Sequence, residues 1–277
     1  MSVIAMDTAA VEKPPEARRG WPASRILGWS LMIFWGAVAL GIVVYLFGVW
    51  NPALFDRYLP AYMSGLWVTL QLVLISIVIG AVLSVPIAYG RMSSNRWLGG
   101  FAYGYVYFFR GTPLLAQTFL IYYGLGSFRP QLEAVGLWSF FRDAWYCAIF
   151  AFSLNTAAYQ AEILRGAIQS VSKGQWEASK ALGLDRLKTL RLIVMPQAML
   201  VALRPYGNEI ILMIKGSAIV SIITVYDLMG ETRRAFSRTF DFQTYIWAAI
   251  IYLLIVEVLR FVTERIEGRL TRHLVRR

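Results

Sequence analysis

One cysteine, Cys147, and one histidine, His273, stand in the 277 residues. A lone thiol inside an apolar run excludes a disulfide framework and reads as a small buried side chain. One Cys and one His also leave too few soft ligands for a zinc-type metal site. No GxxxxGK[ST] stretch occurs, and none of the 22 glycines is followed by lysine, so the chain lacks a phosphate-cradling loop for ATP. Clustered Ser/His/Asp or Cys/His groups are missing as well, which argues against a membrane enzyme. Charged residues make up only 16%.

What fills that space is apolar. The chain is 58% hydrophobic and 15% aromatic, and these residues come in long runs rather than amphipathic stripes. Crossing a bilayer core takes roughly 20 apolar residues as helix, and runs of that length exclude a barrel. The pattern predicts an all-α membrane protein with six transmembrane helices, near 27–50, 63–89, 98–125, 144–168, 206–228 and 245–262. The first run is too long for a signal-peptide core and has no small-residue cleavage site after it, so it is expected to stay. Arg18-Arg19 fits an orientation-setting charge better than a twin-arginine export signal. Nineteen Lys and Arg fall on the side shared by both termini and six on the other, which predicts an N-in, C-in topology. The net charge of +11 thus reflects topology and anionic lipid, and nucleic acid is not needed as a partner. The expected organisation is a cytosolic tail over 1–24, a first helix and outer loop over 25–60, a core over 61–265, and a basic tail over 266–277.

The largest polar insert, 171–205, then faces the cytosol. Residues 175–182 favour helix, Gly183 suits a left-handed helix end, and Asp185 suits the cap of a second helix. In that second helix Leu187, Leu190 and Ile193 or Val194 recur at helical spacing, and Pro196 is expected to stop or bend it. Two short amphipathic helices at a fixed angle have two ordinary uses: lying among headgroups or filling a groove on a soluble partner.

Glu177-Ala178-Ser179, then Gly183, Ile193 and Met195-Pro196, resembles the Glu-Ala-Ala loop of ABC importer permeases. The flanks "AYQAEILRGAIQSVSKGQWEASKALGL", "NEIILMIKGSAIVS" and "RGTPLLAQTFLIYYG" are similar to the polar amino acid branch, and Lys215-Gly216-Ser217-Ala218 looks like its histidine, arginine, lysine, ornithine and opine importers. Resemblance runs from about residue 62 to the end, with Ser179 replacing an alanine and Met195 a leucine. It implies a type I permease fold in the bacterial inner membrane whose loop docks on a separate ATPase dimer. Gly174, Glu177, Ala178, Ser179, Leu182, Gly183, Pro196 and Gln197 are the coupling residues so implied. A second permease, identical or homologous, and a periplasmic binding protein complete the expected assembly. No cofactor is expected on this chain; ATP and magnesium would sit on the ATPase. The rival is an ion-coupled secondary transporter, against which stand the loop and the lack of an inverted repeat.

Polar residues inside the spans are the expected cargo pathway: Thr112, Gln117, Asn155, Tyr159, Asn208 and Ser217. Gly111 and Pro113 should break the third span just after Arg110, and Gln117 lies beside that break. For Asn155 and Tyr159 two readings stand, interhelical glue and a cargo-lining wall; Gly166 reads as glue. Arg110 is either an anchor or a cargo contact, and Glu162 with Arg165 either a structural ion pair or a transport element. A cationic cargo would want an acidic partner, and Glu162, Glu209, Asp227 and Glu257 are unranked candidates.

Overall fold

The computed structural model describes residues 22–272, so His273 and most of the expected N-terminal tail lie outside the described residues. The described residues are helical throughout, without strands, and divide into two units that meet at Asn51 and Pro52. The first unit holds α1 (Ala23–Val49), whose apolar side chains are almost all exposed, as a helix surrounded by lipid requires.

The second unit opens with α2 (Pro52–Arg91), 40 residues without interruption. The outer loop expected up to residue 60 is therefore helix. Pro52 at its first position needs no N–H there, a start signal that the apolar count overlooked. Then follow α3 (Arg96–Gly111), α4 (Leu114–Phe119) with a π turn over Leu120–Gly124, and two short helices, α5 (Arg129–Ala134) and α6 (Trp138–Phe141). The central helix is α7 (Ala144–Ser170), followed by α8 (Lys173–Ala181) and α9 (Arg186–Thr189). A π turn over Leu190–Val194 leads into α10 (Met195–Ser217), which tightens to a 3-10 turn over Ala218–Ile223. The chain ends in α11 (Leu228–Thr239) and α12 (Gln243–Leu270). By length and composition α1, α2, the helix from Arg186 to Ile223, and α12 are apolar enough to cross a membrane.

Three further expectations need correction. Pro196 does not stop the chain: it stands in the first turn of α10, where a proline's missing N–H is tolerated, directly after the π turn. The fifth apolar run ends at Ile223 rather than 228. Thr224 adopts a left-handed conformation, and Asp227 then caps the amphipathic α11, which the apolar pattern did not reveal. The tail expected from 266 also begins as helix, since α12 continues to Leu270.

Lipid tails are as apolar as leucine, so helix association rests on close packing more than on the hydrophobic effect. α7 supplies the small residues: Cys147, Ala148, Ala151, Ala157, Ala158 and Ala161 are fully buried. Gly80 of α2 lies against Thr156, and a Cβ there would approach the Ala157 backbone nitrogen at 3.2 Å. Outward faces carry Trp67, Leu74 and Val82, all more than 60% exposed, an inside-out arrangement suited to hydrocarbon.

Candidate functional site

The polar insert is an elbow built from α8 and α9. Its first limb ends in two backbone bonds, Leu184 N to Ser179 O (3.0 Å) and Gly183 N to Lys180 O (2.9 Å). These are the paired closing bonds of a Schellman end, and Gly183 holds the left-handed position at φ 73°. Two residues after Gly183 the Asp185 side chain accepts from Lys188 N at 2.8 Å and starts the second limb. That amide, reinforced by the Lys188 ammonium, holds the Asp185 carboxyl below its usual range.

Backbone groups at the joint are thus satisfied locally, which leaves side chains free. Glu177 and Ala178 are exposed, as are Leu182 (79%) and Leu187 (74%). Behind them Ser179, Thr189 and Val194 are buried, and Trp176, Leu190 and Met195 pack on the ends of α2 and α7. Ser179 differs from its neighbours in role: its Oγ donates to Gln175 O (2.7 Å) on the inner face. Gly174 sits in open space in the first turn of α8. Pro196 is exposed, and Gln197 Nε2 donates to Ile193 O at 2.8 Å, steadying the π turn. A rigid elbow with bare leucines and an unpaired carboxylate among the described residues is shaped for a partner.

The break in the third apolar run is where expected. Thr112 is extended, and Pro113 has no N–H for the Phe109 carbonyl one turn back. Two buried amides replace it. Gln117 Nε2 donates to Phe109 O (2.9 Å), Thr112 O (3.0 Å) and Thr112 Oγ1 (2.7 Å). Asn155 Nδ2 donates to Phe109 O (3.0 Å) and to Gln117 Oε1 (2.9 Å). Three expected pathway residues therefore meet, and α7 is tied to the break through Asn155.

Beside them an open cavity of about 380 Å³ is lined by Arg110, Tyr159, Glu162, Gly166 and Pro205, among others. Gly166 lines this space, and a Cβ there would meet nothing within 4 Å, so it packs against no other helix of this chain. The Arg110 guanidinium lies 5.1 Å above the Tyr159 ring. Glu162 is a hub for cations: Arg91 Nε at 2.9 Å, Arg165 Nη2 at 2.7 Å and Arg110 Nη1 at 4.0 Å. The remaining two pathway residues do not join the cluster. Asn208 is exposed on α10, and Ser217 is fully buried with its Oγ donating to Ile214 O at 2.8 Å.

The four acidic candidates now differ. Glu162 is taken by arginines, Asp227 caps α11 at Gly230 N (2.8 Å), and Glu257 is half-exposed near Arg260. Glu209 is buried and accepts only the Thr156 hydroxyl at 2.8 Å, without an ion pair among the described residues.

Helices with lipid-type outer faces, a broken apolar helix and an exposed polar elbow fit a membrane transport subunit. Residues 76–275 match the family described as binding-protein-dependent transport system inner membrane component, and the chain belongs to that family. It is 47% identical over 216 residues to the nopaline transport system permease protein NocM of Agrobacterium fabrum, covering 78% of this chain and 90% of that one. It is 38% identical over 226 residues to the histidine/lysine/arginine/ornithine transport system permease protein HisM of Escherichia coli, covering 81% and 94%. Among solved structures, an amino acid ABC transporter crystallised with histidines superposes with a TM-score of 0.70 at 35% identity, over 79% of this chain and 98% of that one.

Proposed function

We propose that this chain is the permease subunit of a binding-protein-dependent ABC importer for polar amino acids or opines in the bacterial inner membrane. The observation that carries the reading is the elbow: exposed Glu177, Leu182 and Leu187 on a frame whose backbone bonds are already closed. Six spans with both termini inside put that elbow in the cytosol, where a dimeric ATPase binds it. ATP and magnesium reside on the ATPase, and this chain carries out no covalent chemistry.

In this mechanism the closing ATPase pair moves two elbows, one from this chain and one from a second permease. α8 and α9 transmit the push through Trp176, Leu190 and Met195 to the inner ends of α2 and α7. The bundle then shifts between facing a loaded periplasmic binding protein and facing the cytosol, a two-state change biased by nucleotide. Cargo passes along α3, α7 and α10, past Thr112, Gln117, Asn155, Tyr159, Asn208 and Ser217. Asn155 and Gln117 hold the break together until the helices move. Glu209, buried without a cation, is the acid best suited to a cationic cargo group, and Arg110 on the open cavity suits a carboxylate.

The test is Glu177→Arg in the full complex. The expected result is loss of the ATPase on purification and loss of uptake while the permease still reaches the membrane. Uptake that persists without the ATPase would replace this reading with ion-coupled transport.

A further inference from the structure

A second cavity, of about 530 Å³, lies between the α2–α3 link and the elbow. Its size falls within the ~300–1,000 Å³ typical of small-molecule sites. Met92, Val171 and Trp176 give it apolar walls, and Ser94 adds a hydroxyl. Lys173 and Arg186 supply charge, and no carboxylate lines it. Neither cation forms an ion pair among the described residues; the nearby Asp185 is engaged by Lys188. A cavity with greasy walls and two free cations is matched to an amphiphile bearing a phosphate.

The surroundings say which amphiphile. α3 starts immediately after the link, and its Trp97 is 90% exposed and Phe101 78% exposed. Exposed aromatics at a helix end mark the level of the headgroups. Under the topology proposed above this is the cytosolic leaflet, whose anionic lipids attract Lys and Arg.

We propose that this cavity binds the phosphate of an anionic phospholipid, held by Lys173 and Arg186 with its apolar part against Met92 and Trp176. Lys173 opens α8 and Arg186 opens α9, so one phosphate contacts both limbs of the elbow and the α2–α3 link at once. The lipid is then a wedge that keeps the elbow at a fixed angle to the bundle. The inference rests on the docking role of the elbow for its effect on coupling, though not for lipid binding itself.

The experiment uses the full complex in nanodiscs of phosphatidylcholine, alone or mixed with phosphatidylglycerol. Bound phosphatidylglycerol is counted by native mass spectrometry, and cargo-stimulated ATPase is measured in parallel. The double variant Lys173→Gln, Arg186→Gln should lose retained lipid, its affinity for phosphatidylglycerol falling by about fivefold for each charge removed, the weight of one cation near an anionic surface, and the lipid stimulation of the wild type should be lost with it. Each single variant should lie between. Both side chains are exposed, so folding is expected to survive, and retention of the ATPase subunit checks it. Equal phosphatidylglycerol retention in the double variant and the wild type would overturn the proposal. Stimulation of discs of pure phosphatidylcholine by inorganic phosphate would overturn the lipid assignment in favour of a soluble phosphate. Should the wild type bind the lipid yet never hold an ATPase, the docking reading fails and the lipid site stands.

Discussion

The elbow and the break in the third apolar run use the same device with opposite results. In both, a helix is interrupted by glycine or proline, and carbonyls lose their usual partners. At the elbow the freed groups are taken up by backbone, Leu184 to Ser179 and Gly183 to Lys180, with one cap from Asp185. At the break the Phe109 and Thr112 carbonyls are taken up by the Gln117 and Asn155 side chains. Backbone closure leaves Glu177, Leu182 and Leu187 free to meet another protein. Side-chain closure commits two amides to holding the bundle, and whatever passes there must compete with those bonds. Under the proposed function the first joint is a docking surface and the second a lock.

The contrast can be broken by mutation, with the largest effect expected at the docking face. Reversing the charge at Glu177 should weaken ATPase binding by about 2–5 kcal/mol, the range for truncating or reversing one partner of an interfacial charge pair. Co-purification should fall by an order of magnitude or more with melting temperature unchanged. Gln117→Leu should behave in the opposite way. It leaves buried carbonyls short of donors, at about 1–3 kcal/mol, so thermal stability drops while the ATPase stays bound. Gly183→Ala places a Cβ on a residue at φ 73° with no atom within 4 Å. Only the backbone conformation is penalised, by about 1–2 kcal/mol, which amide exchange confined to α8 and α9 should register.

The smallest effect concerns acid. The Asp185 carboxyl is held low in the folded state by the Lys188 amide, so its cap is fully present above the ordinary carboxylate range. The cap weakens as pH falls through the depressed folded value. Between neutral pH and pH 5 the protection of the Lys188 amide, its exchange rate relative to the intrinsic rate at that pH, should therefore not change. Below the usual carboxylate range that protection should fall, and Asp185→Asn should remove the dependence.

The elbow was legible because its signals are local: a glycine at the helix end and an aspartate two residues later. The break was legible too, from Gly111 and Pro113. What sealed it was not, because Asn155 reaches Phe109 across 46 residues of chain. Periodicity places Asn155 on a face and says nothing of which orphaned carbonyl that face meets. Pro196 misled because it stands in the first turn of α10, and the π turn directly before it has no residue signature. The short α5, α6 and α11 escaped because short helices carry no long apolar run. The start of α2 was readable from Pro52, had the helix-start rule been set above the apolar count.

The lone native thiol, Cys147, is fully buried, so a cysteine placed at Leu182 is the reactive one in intact complexes. A bifunctional thiol reagent applied to transport-competent membranes carrying Leu182→Cys should yield an adduct of this chain with the ATPase subunit, and the adduct should block uptake. Free labelling of that cysteine by a bulky maleimide, with uptake undiminished and no adduct, would contradict the account.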